Sequence, residues 1–295
     1  NAHPLIDVYE GKISLDEFTA QLDDDDLIHL LGGQPNTSVA NTYGYGNLPE
    51  YGVPNIMTAD GPAGLRINPQ CEVCTTAWPC ATLLASTWNP ALIEQVGTAG
   101  AAEVKENNIA VWLTPAVNIH RNPLCGRNFE YYSEDPLLAG KMGAAMVRGI
   151  QSQHIAAAVK HFACNNKETN RKHSDSRVSE RALREIYLKA FEIIVKEADP
   201  WVIMSAYNMI NGHRASENHD LLEGILRDEW HCHGMVTSGW WTRGEQYKES
   251  KAGNDVKMAC GFPERVKKAM ELGALDRSDL ERCAKRVLDL ILKID

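Results

Sequence analysis

No G-x-G-x-x-G and no G-x-x-x-x-G-K-[ST] follows any apolar run in the 295-residue chain. Without those glycine cradles, a dinucleotide-binding or P-loop fold has no support. No apolar stretch reaches the ~20 residues of a membrane span. No long basic run occurs, and the formal net charge is -9, which excludes nucleic acid and anionic membrane as expected partners. Eight cysteines in this length are too few for a disulfide scaffold, so free thiols are expected. Cys71, Cys74 and Cys80 fall in "CEVCTTAWPC", but no second pair with zinc spacing follows, and no metal is expected. The opening "NAHPLIDVYEGKI" lacks the basic and apolar regions of a secretory leader, so a cytoplasmic location is expected.

What is present is a rhythm of apolar runs and amphipathic segments. The spacing predicts one helix over 14–31, opened by a capping box of Ser14 and Glu17, with "DDDD" at 23–26 as a solvated face. A Gly/Asn/Pro-rich loop follows over 32–54, too long for a simple connection. Strands are predicted at 55–59, 110–119, 156–163, 201–208 and 234–241. Helices are predicted at 90–106, 136–153, 179–198, 218–229, 263–272 and 278–293, the last capped by Ser278 and Glu281. Strands alternating with helices mean βα units around a parallel sheet. The fold class is α/β, a TIM-like (β/α) barrel with irregular or fewer than eight repeats. It occupies 1–295 as a single domain, with 1–54 as an N-terminal helix and long loop.

In such a barrel the site lies at the carboxyl ends of the strands. There the sequence places Asp60 and Arg66 ("DGPAGLR"), then His120, Arg121 and Arg127 ("HRNPLCGRNFEYYSED"). Lys160 and His161, Met204 and Tyr207, and finally Ser238, Gly239, Trp240 and Trp241 ("SGWW") follow. Each alone has an ordinary structural explanation: a solvated lysine, a turn aspartate, a core histidine, a packed indole. Their shared position at strand ends joins them. A carboxylate accepting from neighbouring hydroxyls, cations donating to them, and indoles covering C–H faces suit a polyhydroxylated ligand. Sugar phosphate is the rival, opposed by the charge of Asp60 and the missing glycine cup.

The segments "TADGPAGLR", "PAVNIHRNPLCGRNFEYYSEDP", "VKHFACNNKETNR", "SERALREIYLKAFE", "IMSAYNMING" and "AGNDVKM" resemble, in order, glycoside hydrolase family 3, the β-glucosidase family. The likeness runs from about Leu27 to Ile294 and is nearest to bacterial members whose two domains follow each other in swapped order. It implies a retaining β-glucosidase that removes terminal β-D-glucosyl residues through a covalent glycosyl-enzyme, with no cofactor. It implies that Asp60, Arg66, Arg127, Lys160 and His161 hold the hydroxyls of the terminal glucosyl unit, that Met204 and Tyr207 line its pocket, and that Trp240 walls it. The family's nucleophile is the aspartate of an "SDW" motif; here Gly239 stands in its place. The acid/base glutamate of most members sits on a second domain, so a second domain or chain is an implied partner beside the β-glucoside or short gluco-oligosaccharide substrate.

Two carboxyl groups ~5–5.5 Å apart drive retaining hydrolysis. With one missing, the chain is expected to be hydrolytically inactive or glycosynthase-like. The glycine reads as a replacement of aspartate, since the other pocket residues are kept; a sugar-binding pseudoenzyme or scaffold subunit is the alternative. β-Xylosidase and β-N-acetylglucosaminidase activities also occur in the family. The His–Asp pair of the latter has a partial match in His173 and Asp175, but without its "GHG" context these read as loop residues, with Asp175 paired to an arginine.

Overall fold

The computed structural model describes residues 2–294. Among the described residues nine strands occur: β1 Gly44–Leu48, β2 Val53–Ala59, β3 Val111–Trp112, β4 Ala156–Phe162, β5 Asp175–Ser176, β6 Val202–Ser205, β7 Met209–Ile210, β8 His213–Arg214 and β9 Met235–Thr237. Six of them form one sheet in the order β1-β2-β3-β4-β6-β9, and β5, β7 and β8 form a small separate sheet. From β2 to β9 the main ladder is parallel, with registers such as Thr58↔Val111, Val111↔Ala156, Ala158↔Val202 and Val202↔Met235. β1 runs antiparallel to β2.

Two short segments close this sheet on itself. Val256 pairs in parallel with Thr237, Lys257 pairs in parallel with Gly32, and Gln34 pairs antiparallel with Gly44 of β1. The bonds Ser238 N to Val256 O (2.9 Å), Lys257 N to Leu31 O (2.9 Å) and Gln34 N to Gly44 O (2.8 Å) carry the closure. The result is a TIM-like barrel with one reversed stave, irregular as expected.

Strand alternation divides the buried side chains into two cores. Ile56, Val111, Ala156, Ala158, Val202 and Met235 join one cluster with Val256 and the closing helix Arg277–Lys293. Met57, Trp112, Ala157, Val159, Ile203 and Val236 join the other, beneath the helices Pro90–Glu106, Pro136–Gln151 and Lys189–Ala198. The small residues of β4 are buried throughout, as a stave covered on both faces requires.

Several expected boundaries change. Residues 14–31 are two helices, Leu15–Ala20 and Asp24–Leu30; Asp23 caps the second and Asp26 returns the bond, so the aspartate run is a helix start and not a mid-helix face. Segment 32–54 is no plain loop, since it supplies a closing segment and all of β1. The last helix is capped by Asp276 with Asp279, not by Ser278 with Glu281; Glu281 pairs with Arg277 instead. Segment 179–198 is interrupted by a π-helical turn at Leu183–Tyr187. The run 110–119 is a regular strand only over Val111–Trp112; Pro115 offers no N–H to a ladder, and pairing resumes as a single parallel bridge between Ala116 and Lys160. Asp175 does pair with Arg177, at 2.7 Å. Among the described residues, no helix is long and apolar enough to cross a membrane.

A buried ion network anchors the closing segment. Asp255 is fully buried. It accepts from Arg227 Nη2 at 2.7 Å, from Val236 N at 2.8 Å and from Arg286 Nη1 at 3.0 Å. Glu223 takes the remaining charge of both arginines. Removing one member of such a network strands its partners without water. Asp255→Ala is expected to lower unfolding stability by about 3–5 kcal/mol in a urea titration; a change within about 0.5 kcal/mol, the scale of an ordinary surface substitution, contradicts this role.

Candidate active site at the barrel mouth

The alternation that builds the barrel interior also selects the site. Continuing the inward register Ile56–Thr58 gives Asp60; Val111 gives Leu113; Ala156–Ala158 gives Lys160; Val202 gives Met204; Met235–Thr237 gives Gly239. All five line one cavity of about 280 Å³, together with Asn41, Thr42, Arg127, His161, Arg171, Tyr207 and Trp240.

Lys160, only 2% exposed, reaches past the intervening stave β3 and donates to Asp60 Oδ1 at 2.9 Å. The same oxygen accepts from Gly61 N at 2.8 Å. Burial works to raise the Asp60 carboxyl, but the charge and hydrogen bond of Lys160, the Gly61 amide and Arg66 outweigh it and hold the group down at about 2. The depressed folded-state value stabilises the protein above the ordinary aspartate range, and this contribution is lost as pH falls through about 2.

His161 is buried, and its backbone is clamped by Asn118, which accepts from His161 N (2.8 Å) and donates to His161 O (2.9 Å). Tyr131 Oη lies 3.0 Å from His161 Nδ1 and accepts from Asn165 Nδ2 at 2.8 Å. The phenol proton is therefore free to go to Nδ1, which assigns the ring proton to Nε2. Burial first, then the charges of Arg127, Lys160 and Arg171, push His161 well below the usual histidine range, so it faces the cavity as a neutral imidazole. Arg127 is held by Glu130 at 2.6 Å, with Glu168 at 3.9 Å. Glu168 also binds Arg171, at 2.9 Å.

Around Gly239 the wall is tight. Tyr207 Oη donates to Trp240 O at 2.6 Å, and the Arg171 guanidinium lies 4.8 Å from the Tyr207 ring centre. A Cβ built on Gly239 would meet Tyr207 Cε1 at 2.8 Å and Cζ at 2.9 Å. Trp240 lines the cavity and donates through its indole N–H to Thr42 Oγ1.

Other candidates fall elsewhere. Arg66 is mostly exposed and touches the site only through Asp60, at 3.5 Å. His120 faces the carbonyls of Asn128 and Tyr131, at 2.8 and 2.9 Å, and serves the loop that carries Arg127. Arg121 lines a separate cavity of about 590 Å³, with Asn166, Lys167 and Asp175. That cavity is larger and has charged groups of its own, but no tryptophan lines it and none of Asp60, Lys160, Met204 and Gly239 reaches it, so size does not mark the site. The two tryptophans do not form one platform: Trp240 walls the cavity, whereas Trp241 is 49% exposed outside it. Asn41, Thr42, Leu113 and Arg171 were not anticipated. Leu113 was available from the inward register, and Arg171 from the "NNKETNR" segment; Asn41 and Thr42 carry no local signal.

A closed (β/α) barrel with a polar pocket at the carboxyl ends of its staves defines a barrel enzyme scaffold with a small-molecule site. Comparison narrows the class: residues 47–290 match the Glycosyl hydrolase family 3 N terminal domain, and the chain belongs to that family. Beta-glucosidase A of Butyrivibrio fibrisolvens is 64% identical over 278 residues, covering 94% of this chain and 34% of that protein. An Exo-alpha-(1->6)-L-arabinopyranosidase of Bifidobacterium longum is 44% identical over 252 residues, covering 82% and 33%. The structure of beta-glucosidase 3B from Thermotoga neapolitana in complex with alpha-D-glucose superposes with a TM-score of 0.91 at 44% identity, covering 95% of this chain and 43% of that one. The chain thus spans about a third of the length of these curated relatives.

Lys160→Met tests the electrostatics directly. Burial then meets less opposition, and the Asp60 carboxyl is expected to climb from about 2 past the ordinary ~3.9 of aspartate. Carboxyl-carbon NMR titration reads the value; a midpoint still near 2 rules out Lys160 as the main support.

Proposed function

We propose that this chain is the barrel of a retaining β-glucosidase, with the terminal glucosyl unit seated in the cavity at the strand ends and Gly239 at the nucleophile's position. The observation that carries this reading is the inward register of Gly239, on the cavity wall beside Tyr207 and among Asp60, Lys160 and Met204. Asp60 accepts from sugar hydroxyls, Lys160 and Arg127 donate to them, neutral His161 donates from Nε2, and Met204 and Trp240 cover apolar faces. Arg66 supports Asp60 from outside. Tyr207, held against Trp240 O, adjoins the anomeric carbon.

Retaining hydrolysis would run as follows in a chain with aspartate at 239. The carboxylate attacks the anomeric carbon as an acid protonates the leaving oxygen, and water then releases the sugar. With glycine the first step has no nucleophile, so the chain binds without hydrolysing, or transfers from an activated α-glycosyl fluoride. The acid/base glutamate belongs to a second domain or chain.

In the polypeptide that includes the acid/base domain, Gly239→Asp is expected to raise aryl-β-glucoside hydrolysis about a thousandfold or more, once the Tyr207 ring has shifted out of the 2.8 Å contact that the new Cβ would make. Absence of recovery, with glucose still bound, favours a sugar-binding scaffold. The arabinopyranosidase relative makes nitrophenyl α-L-arabinopyranoside the comparison substrate; faster cleavage of it than of the glucoside would move the assignment to a pentopyranoside. Independently, glucose affinity is expected to stay flat from pH 7 to about 5.5, because His161 remains neutral and Asp60 charged across that range. A fall centred near the ordinary histidine value, about 6.5, in a calorimetric titration would contradict the assigned state of His161.

A further inference from the structure

The run "CEVC" at 71–74 is a pattern that the barrel site does not absorb. It forms the tip of the long segment that joins β2 to the helix Ala81–Ala85. Cys71 and Cys74 are both exposed, whereas Cys125, Cys164, Cys232 and Cys283 are buried. A short 3₁₀ turn, Pro69–Cys71, leads into Glu72, whose left-handed backbone (φ 53°, ψ 29°) bends the chain between the two thiols. Among the described residues Val73 and Cys74 make no backbone hydrogen bond, so the tip is free to close slightly.

Both stems of this tip are fixed, and both lead to Asp60. On the Cys71 side, Asn68 N donates to Val39 O and Arg66 N donates to Asp60 O, each at 2.9 Å. On the Cys74 side, Thr75 Oγ1 donates to Leu65 O at 2.7 Å, and Trp78 N donates to Ala63 O at 2.9 Å. A Cβ on Gly64 would meet Thr76 O at 2.8 Å, and one on Gly61 would overlap Gly64 O. Thr76, Gly64 and Gly61 are thus stacked backbone on backbone, and Gly61 N is a donor to Asp60 Oδ1.

Where a chain bends, Cα atoms three residues apart come within ~7 Å, close to the ~4.4–6.8 Å that a disulfide spans. Two accessible thiols at that spacing let one cysteine react and the other resolve it. We infer that Cys71 and Cys74 form a thiol–disulfide site, oxidised by a small disulfide of the glutathione type, and that its closure lowers sugar affinity through the Asp60 turn. The affinity change rests on the glucosyl-site reading above. One protein thiolate attacks glutathione disulfide and releases a glutathione thiolate; the second attacks the protein sulfur of the mixed disulfide and releases the other. The Cys71–Cys74 bond forms, the two protein thiols lose two electrons and two protons, and glutathione disulfide becomes two glutathione thiols. Cys80 is held apart from this pair at the head of the helix Ala81–Ala85, where Leu84 N donates to Cys80 O at 3.0 Å. Closing the tip draws the Cys74 stem, with Thr76 against Gly64, and so moves the Gly61 amide relative to Asp60.

The 295-residue chain is equilibrated in glutathione buffers of graded ratio, remaining thiols are alkylated, and peptide mass mapping locates the bonds. Calorimetry then measures glucose binding to the reduced and oxidised chains. The expected result is a Cys71–Cys74 disulfide in oxidising buffer, reversed by dithiothreitol, with glucose bound about fivefold or more weakly in the oxidised form. Cys71→Ser and Cys74→Ser are expected to bind glucose as the reduced chain does, in either buffer. Mixed glutathione adducts without an internal bond, or a bond to Cys80 in place of the pair, overturn the site. A Cys71–Cys74 bond that leaves glucose affinity within about twofold overturns the coupling, as does oxidant sensitivity that persists in both serine variants. Failure of the reduced chain to bind glucose sinks the glucosyl-site reading and the coupling with it, an outcome distinct from failure of the disulfide, which mass alone reads.

Discussion

The parallel pairing of Val256–Lys257 between Thr237 and Gly32 is the constraint on which this molecule depends. Without it the sheet is an open arc from β1 to β9, and residues from opposite edges have no reason to meet. Asp60 and Lys160, separated only by β3, already meet within that arc, at 2.9 Å; closure brings the two edges themselves together. It also joins Trp240 to Thr42 across 198 residues of sequence. The closing segment is short of hydrophobic surface for such a task, and charge does much of the work. Asp255 binds two arginines and a backbone amide. Lys257 binds Glu249 and the carbonyl of Gly244. The second of these bonds reaches the loop that follows Trp240 and Trp241, so barrel closure and the shape of the mouth are held by one short stretch of chain.

The same closure explains how a polar pocket survives beside an apolar interior. Lys160 and His161 are almost fully buried, which for either charge alone would be strongly unfavourable. The structure resolves the problem in two ways. Lys160 is paired with Asp60, at 2.9 Å. His161 surrenders its charge, since three cations surround it and burial adds to their effect. One pocket therefore presents a fixed carboxylate, fixed cations and a neutral imidazole, a set of donors and acceptors matched to hydroxyl groups that each both donate and accept.

Much of this was legible in the sequence where local patterns decide it. The apolar runs and amphipathic segments gave the βα order, and the helix 90–106 was placed to the residue. The residues at strand ends could be grouped because a parallel barrel puts those ends on one face. What local pattern could not show was closure. The segments 32–34 and 255–258 are too short for a two-residue period to register, and their pairing partners lie far away in sequence. Capping was misread where two candidates compete: Asp276 and Ser278 both suit a helix start, and the carboxylate took the position. The tryptophan pair was misread for a different reason. Adjacent residues on a regular strand diverge, and the Trp241 ring packs against Tyr43 and not on the cavity wall.

Gly239 gains meaning from this geometry and not from its own flexibility. Its backbone is not in the left-handed region that calls for glycine. Removing a side chain from an inward position should leave a void, yet the ring of Tyr207 stands where a Cβ would be crowded. Packing thus accommodates the glycine through a neighbour whose hydroxyl is fixed to the carbonyl of the next residue. Tyr207 and position 239 are consequently one unit: any side chain restored at 239 acts first on the ring, and through its hydroxyl on Trp240, the wall of the pocket. In the function proposed, chemistry at the anomeric carbon and the fit of the sugar face are coupled at this point, because both are set by where a single phenol ring comes to rest.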